Sequence, residues 1–175
     1  MLTDIHIDKV YPHPDNPRRQ LGDLTGLADS IRARGILQNL TVVPRPGTEE
    51  TYTVVIGNRR LAAAKLAGLE TVPCAVTQMD ARDQVATMLL ENLQRSDLTL
   101  LEQAGGFQMM LDLGETVAGI TEKTGFSGST VRRRVKLLEL DRDGFKKAEA
   151  RGATLADYIK LDQIRDVKRR NEVLK

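Results

Sequence analysis

The chain has 175 residues, which suffices for one domain or two small ones. Hydrophobic residues make up 41%, a globular share that argues against wholesale disorder, whereas only 3% are aromatic, which leaves few rings for stacking against bases. The formal net charge of +2 excludes a uniformly basic coat for nucleic acid.

The first part of the chain predicts a mixture of strands and helices. Apolar residues alternate with polar ones over Ile5–Val10, which predicts a strand, and three prolines within residues 11–19 exclude a helix there. An apolar stripe of helical spacing from Leu24 to Ile31 predicts a helix that ends at Gly35. The remaining elements expected in this part are strands at 40–43, 51–56 and 72–76, a helix over 58–66 and a helix that begins after Asp80.

The chain from Thr99 onward is predicted to be all helical. Thr99 and Glu102 have the spacing of a capping box, which marks the start of a helix. Further helices are expected at 116–123, from about Ser129 to Leu140, and as one or two elements within 145–175. The predicted fold class is therefore α+β, with an α/β domain over residues 1–96 and a helical domain over residues 97–175.

Cysteine and histidine are too scarce for the common metal sites. The single Cys74 excludes an intramolecular disulfide and a multi-cysteine zinc site, and we expect it to be a small buried residue of a strand. His6 and His13 lack the spacing of a zinc motif. No apolar run approaches the roughly 18 residues of a membrane span. Because the N-terminus is also too polar for a signal peptide, we expect a cytoplasmic protein with no membrane partner.

The segment Gly57–Arg60 joins a predicted strand to a predicted helix. Amide groups at a helix N-terminus attract anions, glycine allows the backbone to approach a phosphate, and arginine donates to phosphate oxygens through two parallel hydrogen bonds. These features predict a phosphate site. An ordinary turn with a solvated arginine pair would have the same sequence pattern.

A second polar motif, Glu91–Arg95, ends a predicted helix. Glu91 and Asn92 offer the hard oxygen ligands that Mg²⁺ uses beside phosphates, and Arg95 adds a phosphate donor. A plain polar helix end is the alternative interpretation.

Residues 116–138 have the pattern of a helix-turn-helix. Val131, Val135 and Leu138 are predicted to face inward, which places hydroxyl and basic side chains on the opposite face, where a recognition helix meets DNA. The candidate DNA-binding residues, from that face and the adjoining arginine run, are Ser129, Thr130, Arg132, Arg133, Arg134 and Lys136. A solvated basic helix of a bundle is the alternative.

Charge is distributed unevenly along the chain, which favours DNA for its C-terminal part. Residues 127–175 carry 14 basic and 8 acidic side chains, whereas residues 1–126 carry 12 basic and 16 acidic ones. The small net charge is therefore a near cancellation of two opposite parts.

Taken in order, these motifs resemble those of the ParB family of chromosome and plasmid partition proteins. The resemblance covers nearly the whole chain and rests on four segments followed by the helix-turn-helix, namely Asp15–Arg19, Ser30–Leu40, Gly57–Ala63 and Glu91–Arg95. It implies a ParB- and sulfiredoxin-like N-terminal domain that binds CTP with Mg²⁺. It also implies a dimeric clamp that loads at a palindromic centromere-like site on double-stranded DNA. A ParA-type ATPase is the partner implied, and the location implied is the cytoplasm, in association with the nucleoid.

Carried over residue by residue, the resemblance gives Gly57, Arg59 and Arg60 to the triphosphate. It gives Glu91 and Asn92 to phosphate and Mg²⁺. The full set that it implies for nucleotide binding is Gly57, Asn58, Arg59, Arg60, Glu91, Asn92, Arg95, Arg18 and Gln38.

The chain departs from the family pattern at three points. Asn58 replaces a usual glutamate, and because an amide cannot act as a base, slow CTP hydrolysis is left open. Asn39 replaces a common proline. Full-length relatives also carry a C-terminal dimerisation domain, so we expect a truncated chain or a small relative.

Two other functions stay open at this point. One is a helix-turn-helix transcription regulator or nucleoid-occlusion-like factor whose N-terminal domain does not hydrolyse nucleotide. The other is an enzyme on the same scaffold, such as a sulfiredoxin or a nuclease. Against the enzyme, Cys74 lies far from Gly57 in sequence, and no carboxylate cluster for metals is evident beyond Glu91.

Overall fold

Residues 1–18 and 20–174 are described by the computed structural model of the chain. The chain divides into two units, Met1–Asn92 and Leu93–Lys175, each with its own hydrophobic core. The first unit is a sheet with helices and the second is all helical, so the fold class is α+β. Across the described ranges no helix combines the length and the apolar character needed to cross a membrane.

Five strands of the described chain form one mixed sheet in the first unit. The strands are β1 (Leu2–His6), β2 (Val10–Pro12), β3 (Leu40–Pro44), β4 (Tyr52–Ile56) and β5 (Thr71–Val76). Their order is β1-β5-β3-β4-β2. The pairs β1–β5 and β3–β4 are antiparallel, whereas β3–β5 and β2–β4 are parallel. Buried aliphatic side chains such as Leu40, Val54 and Val72 fill the core beside the sheet.

Three helices complete the first unit within the described residues: α1 (Thr25–Arg34), α2 (Asn58–Ala67) and α3 (Ala81–Leu93). Ala28 and Ile31 of α1 pack with Ala63 of α2 in a small buried cluster. Met88 of α3 packs with buried valines of β3 and β4. The sheet and these helices therefore fix the position of the α2 N-terminus.

The single strand predicted over residues 5–10 is wrong, because the chain changes its place in the sheet there. β1 pairs with β5 at one edge, whereas β2 pairs with β4 at the other. A short 3₁₀ turn at Ile7–Lys9 separates the two strands, and the Asp8 amide donates to Nδ1 of His6 at 3.3 Å. Alternation in sequence cannot reveal a switch that depends on distant pairing partners.

The second unit contains six helices in its described part. They are α4 (Leu100–Asp112), α5 (Val117–Thr124), α6 (Gly128–Lys136), α7 (Arg142–Ala150), α8 (Leu155–Leu161) and α9 (Val167–Leu174). Three helices thus follow α6, where one or two were predicted. The additional break lies at Gly152, which has a φ of 84°, and a capping box of Thr154 and Asp157 restarts the chain as α8.

Helix α6 begins within one residue of its predicted start and differs from its prediction at the C-terminal end. Gly128 is its first residue and Ser127 caps it, since the Ser127 hydroxyl accepts from the Thr130 amide at 3.2 Å. After α6 the chain tightens into a 3₁₀ turn, which has three residues per turn. That change of period buries Leu137 (7% exposed) in place of the predicted Leu138 (38% exposed).

Stacked and edge-on rings stabilise the core of the second unit. The Phe145 and Tyr158 rings stack with centroids 4.5 Å apart, and Phe107 meets Phe126 edge-on at 5.4 Å. Phe107 and Phe145 are fully buried. The aromatic residues of the second unit are therefore used for packing, where large rings bury the most apolar area.

Two adjacent glycines of α4 predict opposite changes in stability. An Ala side chain at Gly105 would meet nothing within 4 Å, so G105A should raise the free energy of unfolding by about 0.5–1 kcal/mol through helix propensity. A Cβ at Gly106 would lie 2.8 Å from Leu93 Cδ2, which is buried, so G106A should lower it by about 1–3 kcal/mol. Urea unfolding followed by circular dichroism measures both. Equal changes in the free energy of unfolding for G105A and G106A would contradict the open position of Gly105 and the close contact of Gly106 with Leu93.

Candidate functional site

The N-terminus of α2 presents free amide groups to a cleft of the first unit. Gly57 precedes the helix with a φ of 108°, a left-handed backbone that favours glycine, and a Cβ there would lie 3.1 Å from Leu40 Cγ. No described side chain caps α2, and its first turn holds no acidic residue. The first amides of the helix are therefore left for an anion, which the helix dipole also favours.

Arg59 and Arg60 are held by backbone carbonyls rather than by carboxylates. Nη1 of Arg60 donates to the carbonyl oxygens of Gln38 and Asn39 at 2.5 and 2.7 Å. Arg59 donates to two carbonyls of the loop at 21–23, at 2.6 and 3.1 Å. Because carbonyls are neutral, both guanidinium groups are fixed in position while they keep their full positive charge.

Partial burial makes the Arg60 charge more effective toward an anion. Burial lowers the pKa of the Arg60 guanidinium from its ordinary value, and the negative charge of Glu91 acts in the opposite direction. Arginine nevertheless stays protonated at physiological pH. A cation that has already lost part of its hydration interacts more strongly with an incoming phosphate, since water screens the pair less.

A cleft of about 300 Å³ brings most of the predicted nucleotide-binding residues together. Leu27, Val55 and Met88 form its apolar wall. The predicted residues that line it are Gly57, Asn58, Arg59, Arg60, Glu91, Arg18 and Gln38. Its volume lies at the small end of the range for ligand pockets.

Two of the predicted nucleotide-binding residues do not line this cleft. Asn92 is the last residue of the first unit and is not part of the lining. Arg95 belongs to the second unit, where its Nη2 and Nε lie 2.6 and 3.0 Å from the carboxylate oxygens of Asp97. Their roles in nucleotide binding stay predictions.

The Asn58 side chain has an unpaired acceptor beside the cleft. Its Oδ1 is buried and accepts no hydrogen bond from any described residue. A buried acceptor without a partner costs roughly 1–3 kcal/mol, so a donor or a cation supplied by a ligand would stabilise the site. This unpaired oxygen could not be predicted from the sequence, because it depends on the orientation of one amide.

A second cavity, of about 400 Å³, shares part of its lining with the cleft. The two share Asn16, Arg18 and Asn58, which gives room for a ligand larger than a phosphate group. His13 and Lys65 line this second cavity and were not among the predicted residues. His13 lies in the proline-rich segment, two residues before the motif at Asp15–Arg19, and that proximity was the available signal.

The residues of the cleft fit a magnesium ion that is bound together with phosphates. Among residues 1–18 and 20–174, no group of three or more His, Cys, Asp or Glu residues could hold a metal ion by itself. Glu91 and the unpaired Asn58 oxygen both lie at the cleft. Mg²⁺ commonly takes one or two protein oxygens and completes its shell with phosphates and water.

The helix-turn-helix is built by local caps. The Thr116 hydroxyl accepts from the Gly119 amide at 3.0 Å and starts α5, and Gly125 ends it with a φ of 77°. Ser127 then caps α6, and Val131 is its fully buried anchor. The exposed face of α6 is thereby held in a defined orientation within the second unit.

The candidate DNA-binding residues divide into two groups. Ser129, Arg132 and Arg133 are exposed on α6, whereas Thr130 is half-buried and its hydroxyl lies 2.9 Å from that of Ser127. Arg134 is also half-buried, since its guanidinium lies 5.5 Å from the Phe126 ring centroid, and burial lowers its pKa.

Lys136 is exposed but paired with a carboxylate. Its Nζ lies 3.2 Å from both carboxylate oxygens of Asp162. The arginines at 132 and 133 have no such carboxylate partner in the described chain. The charge on this face is therefore more localised than the sequence indicated.

Comparison with known proteins decides the family. The family model described as the ParB N-terminal domain matches residues 1–93. The chromosome-partitioning protein Spo0J of Thermus thermophilus is 37% identical over 161 residues, which cover 91% of this chain and 58% of that protein. The chain belongs to the ParB family. Caulobacter vibrioides ParB is 39% identical over 137 residues, 77% of this chain and 45% of that protein, so this ParB-family chain spans about half the length of the curated relatives it matches.

Solved ParB structures confirm the fold. The C-terminally truncated ParB of Caulobacter crescentus, complexed to the centromeric parS site, matches with a TM-score of 0.73 and 31% identity over 98% of both chains. The same truncated protein complexed with CTP-gamma-S matches with a TM-score of 0.51 and 31% identity, covering 100% of this chain and 99% of that one.

Cys74 is placed where a reactive thiol is not expected. It is fully buried in β5, and burial, followed by the charge of Asp4, raises its pKa to about 11. At about pH 8, where a free thiol is partly ionised, native protein should react with maleimide far more slowly than urea-unfolded protein. Mass spectrometry of the labelled chain measures the two rates. Rapid labelling of the native form would contradict the burial of Cys74 and favour the alternative of a sulfiredoxin-like enzyme.

Proposed function

We propose that this ParB-family chain is a CTP-dependent DNA-binding clamp that loads at a palindromic, centromere-like site for DNA partition. The observation that carries the proposal is the cleft at α2, with its uncapped amides and two carbonyl-anchored arginines. The Caulobacter relatives, solved with parS and with CTP-gamma-S, support extending both ligands to this chain.

The triphosphate of CTP fits the α2 end of the cleft. The amides that follow Gly57 would donate to phosphate oxygens, and Arg59 and Arg60 would add charged donors. Because carbonyls already fix both guanidinium groups, little side-chain freedom is lost when the ligand binds. Arg18 and Gln38 lie at the same cleft and would contact other parts of the nucleotide.

Glu91 is the proposed carboxylate ligand of Mg²⁺, with Asn92 as the second proposed ligand from the same motif. The ion would supply positive charge against the phosphates when bound. Asn58 can accept a hydrogen bond or ligate a cation through Oδ1, but its amide cannot take up a proton. Because Asn58 stands where the family pattern has a glutamate and cannot act as a base, we expect CTP hydrolysis to be very slow. We expect nucleotide binding to persist nevertheless.

The basic face of α6 is the proposed DNA contact, and dimerisation and a ParA-type ATPase partner belong to the same proposal. Exposed Arg132 and Arg133 would contact phosphates or base edges, with Ser129 beside them. The alternative, a transcription regulator that uses no nucleotide, would leave the uncapped α2 amides and the unpaired Asn58 oxygen without a role.

Removing Arg60 tests the nucleotide part of the proposal. R60A should lower the affinity for CTP by about 10- to 100-fold or more, because it deletes a charged donor in a partly buried site. Arg34 is an exposed arginine at the end of α1, outside the cleft lining, so R34A is the matched control and should bind as wild type does. Calorimetry with CTP and Mg²⁺ measures the affinities. Binding of ATP, GTP or UTP as tightly as CTP would contradict the proposal.

Removing Arg133 tests the DNA part. R133A should reduce the dependence of binding on salt by about one phosphate contact, a change near 0.9 in the slope of log K against log salt. R142A removes an equal charge from the first turn of α7 and is the control, with little expected change. Fluorescence anisotropy across a salt series gives both slopes. Binding to random duplex that ignores salt would contradict a DNA role for α6.

A further inference from the structure

The end of the proposed recognition helix is linked by charge to the helices that follow it. Lys136, the last residue of α6, places Nζ 3.2 Å from both carboxylate oxygens of Asp162. Asp162 directly follows α8 as its C-terminal cap and is half-buried, whereas the Lys136 side chain is about half exposed. The Asp162 carboxylate therefore occupies one side of the Lys136 ammonium group and compensates its charge.

Arg170 of α9 explains why that carboxylate is kept in place. Arg170 is 8% exposed, and its Nη2 lies 3.5 Å from Asp162 Oδ1. Its Nη1 lies 3.5 Å from Glu139 Oε2, and its Nε donates to the carbonyl of Ile164. A buried cation is stable only with a paired charge and hydrogen bonds. Arg170 therefore stabilises the Asp162 carboxylate in this position whether or not Lys136 is present.

The position of Lys136 on its helix gives this ion pair a consequence for DNA. Lys136 lies one turn after Arg132, and residues at i and i+4 share a helix face. Arg132 and Arg133 are exposed without a carboxylate partner in the described chain, whereas the Lys136 charge is compensated. One of the three cations on this face is thus withheld from an external phosphate.

We propose that Asp162 is an internal competitor for DNA phosphate, which occupies Lys136, and that Arg170 is the residue that positions it. The inference rests on the proposed DNA-binding function of α6. DNA must displace Asp162 to reach Lys136, after which Asp162 keeps Arg170 as its counter-ion. DNA affinity is therefore lower than the charges of α6 alone would give, and it is set partly by α8 and α9.

Neutralising Asp162 should release Lys136. D162N should tighten binding to duplex DNA by about threefold and steepen the salt slope by about 0.9, the effect of one added phosphate contact. K136A should bind nearly as wild type does, because its charge was already compensated. The double variant K136A/D162N should show no gain over K136A, since no released lysine remains. Fluorescence anisotropy over a salt series measures all four proteins.

E139Q is the matched control, because Glu139 is the other carboxylate beside Arg170. It removes the same charge from the same cluster but leaves the pair of Lys136 and Asp162 intact, so DNA binding should not tighten. Circular dichroism checks that each variant is folded. A gain in E139Q equal to that in D162N, or a gain that persists without Lys136, would overturn the proposal.

Amine reactivity supplies a readout that needs no DNA. Lys136 that is released from its hydrogen bonds to Asp162 is more accessible to an acylating reagent. Brief acetylation should therefore modify Lys136 faster in D162N than in wild type, and at the wild-type rate in E139Q, as measured by mass spectrometry of peptides. Equal rates in wild type and D162N would overturn the ion pair itself. Failure of wild type to bind any duplex, with the expected reactivity pattern, would instead contradict the proposed function of α6.

Discussion

The left-handed backbone at Gly57 is the constraint on which the nucleotide cleft depends. It turns the chain from β4 directly into α2, close against Leu40, and leaves no side chain to cap the helix. The unpaired amides therefore face the cleft, and the two arginines that follow are carried to its edge. A larger residue at Gly57 would meet both an unfavourable φ and the Leu40 side chain, so the geometry of the anion site and the packing of the sheet are coupled.

The two units treat positive charge differently. In the first unit, Arg59 and Arg60 are fixed by neutral carbonyls, so orientation is gained without loss of charge. In the second unit, the Lys136 charge is compensated by Asp162, and the two exposed arginines of the same helix have no carboxylate partner among the described residues. The first arrangement suits tight contact with a highly charged ligand, whereas the second moderates contact with a polyanion.

Features that depend on near neighbours could be predicted from the sequence. The capping box of Thr99 and Glu102 and the glycine turn before α2 are set within a few residues, and both are present in the structure. The turn at Ile7–Lys9 could not be predicted, because it depends on the distant strands with which its flanking strands pair. β1 pairs with β5 at one edge of the sheet, and β2 pairs with β4 at the other. In the candidate site, the motif residues that line the cleft could be named in advance. The unpaired oxygen of Asn58 and the partner of Lys136 could not, since they depend on side-chain orientation and on contacts far along the chain.

CTP-dependent association of the first units is the most direct test of the proposed clamp. Since Cys74 is buried, single cysteines introduced at exposed positions of the first unit can be crosslinked selectively with a bifunctional maleimide. We expect CTP, with Mg²⁺ and a palindromic site, to raise the yield of crosslinked dimer at one or more positions, and ATP, GTP and UTP to leave it unchanged. A yield that is the same with and without CTP at every position would contradict the clamp and favour a regulator that binds DNA without nucleotide.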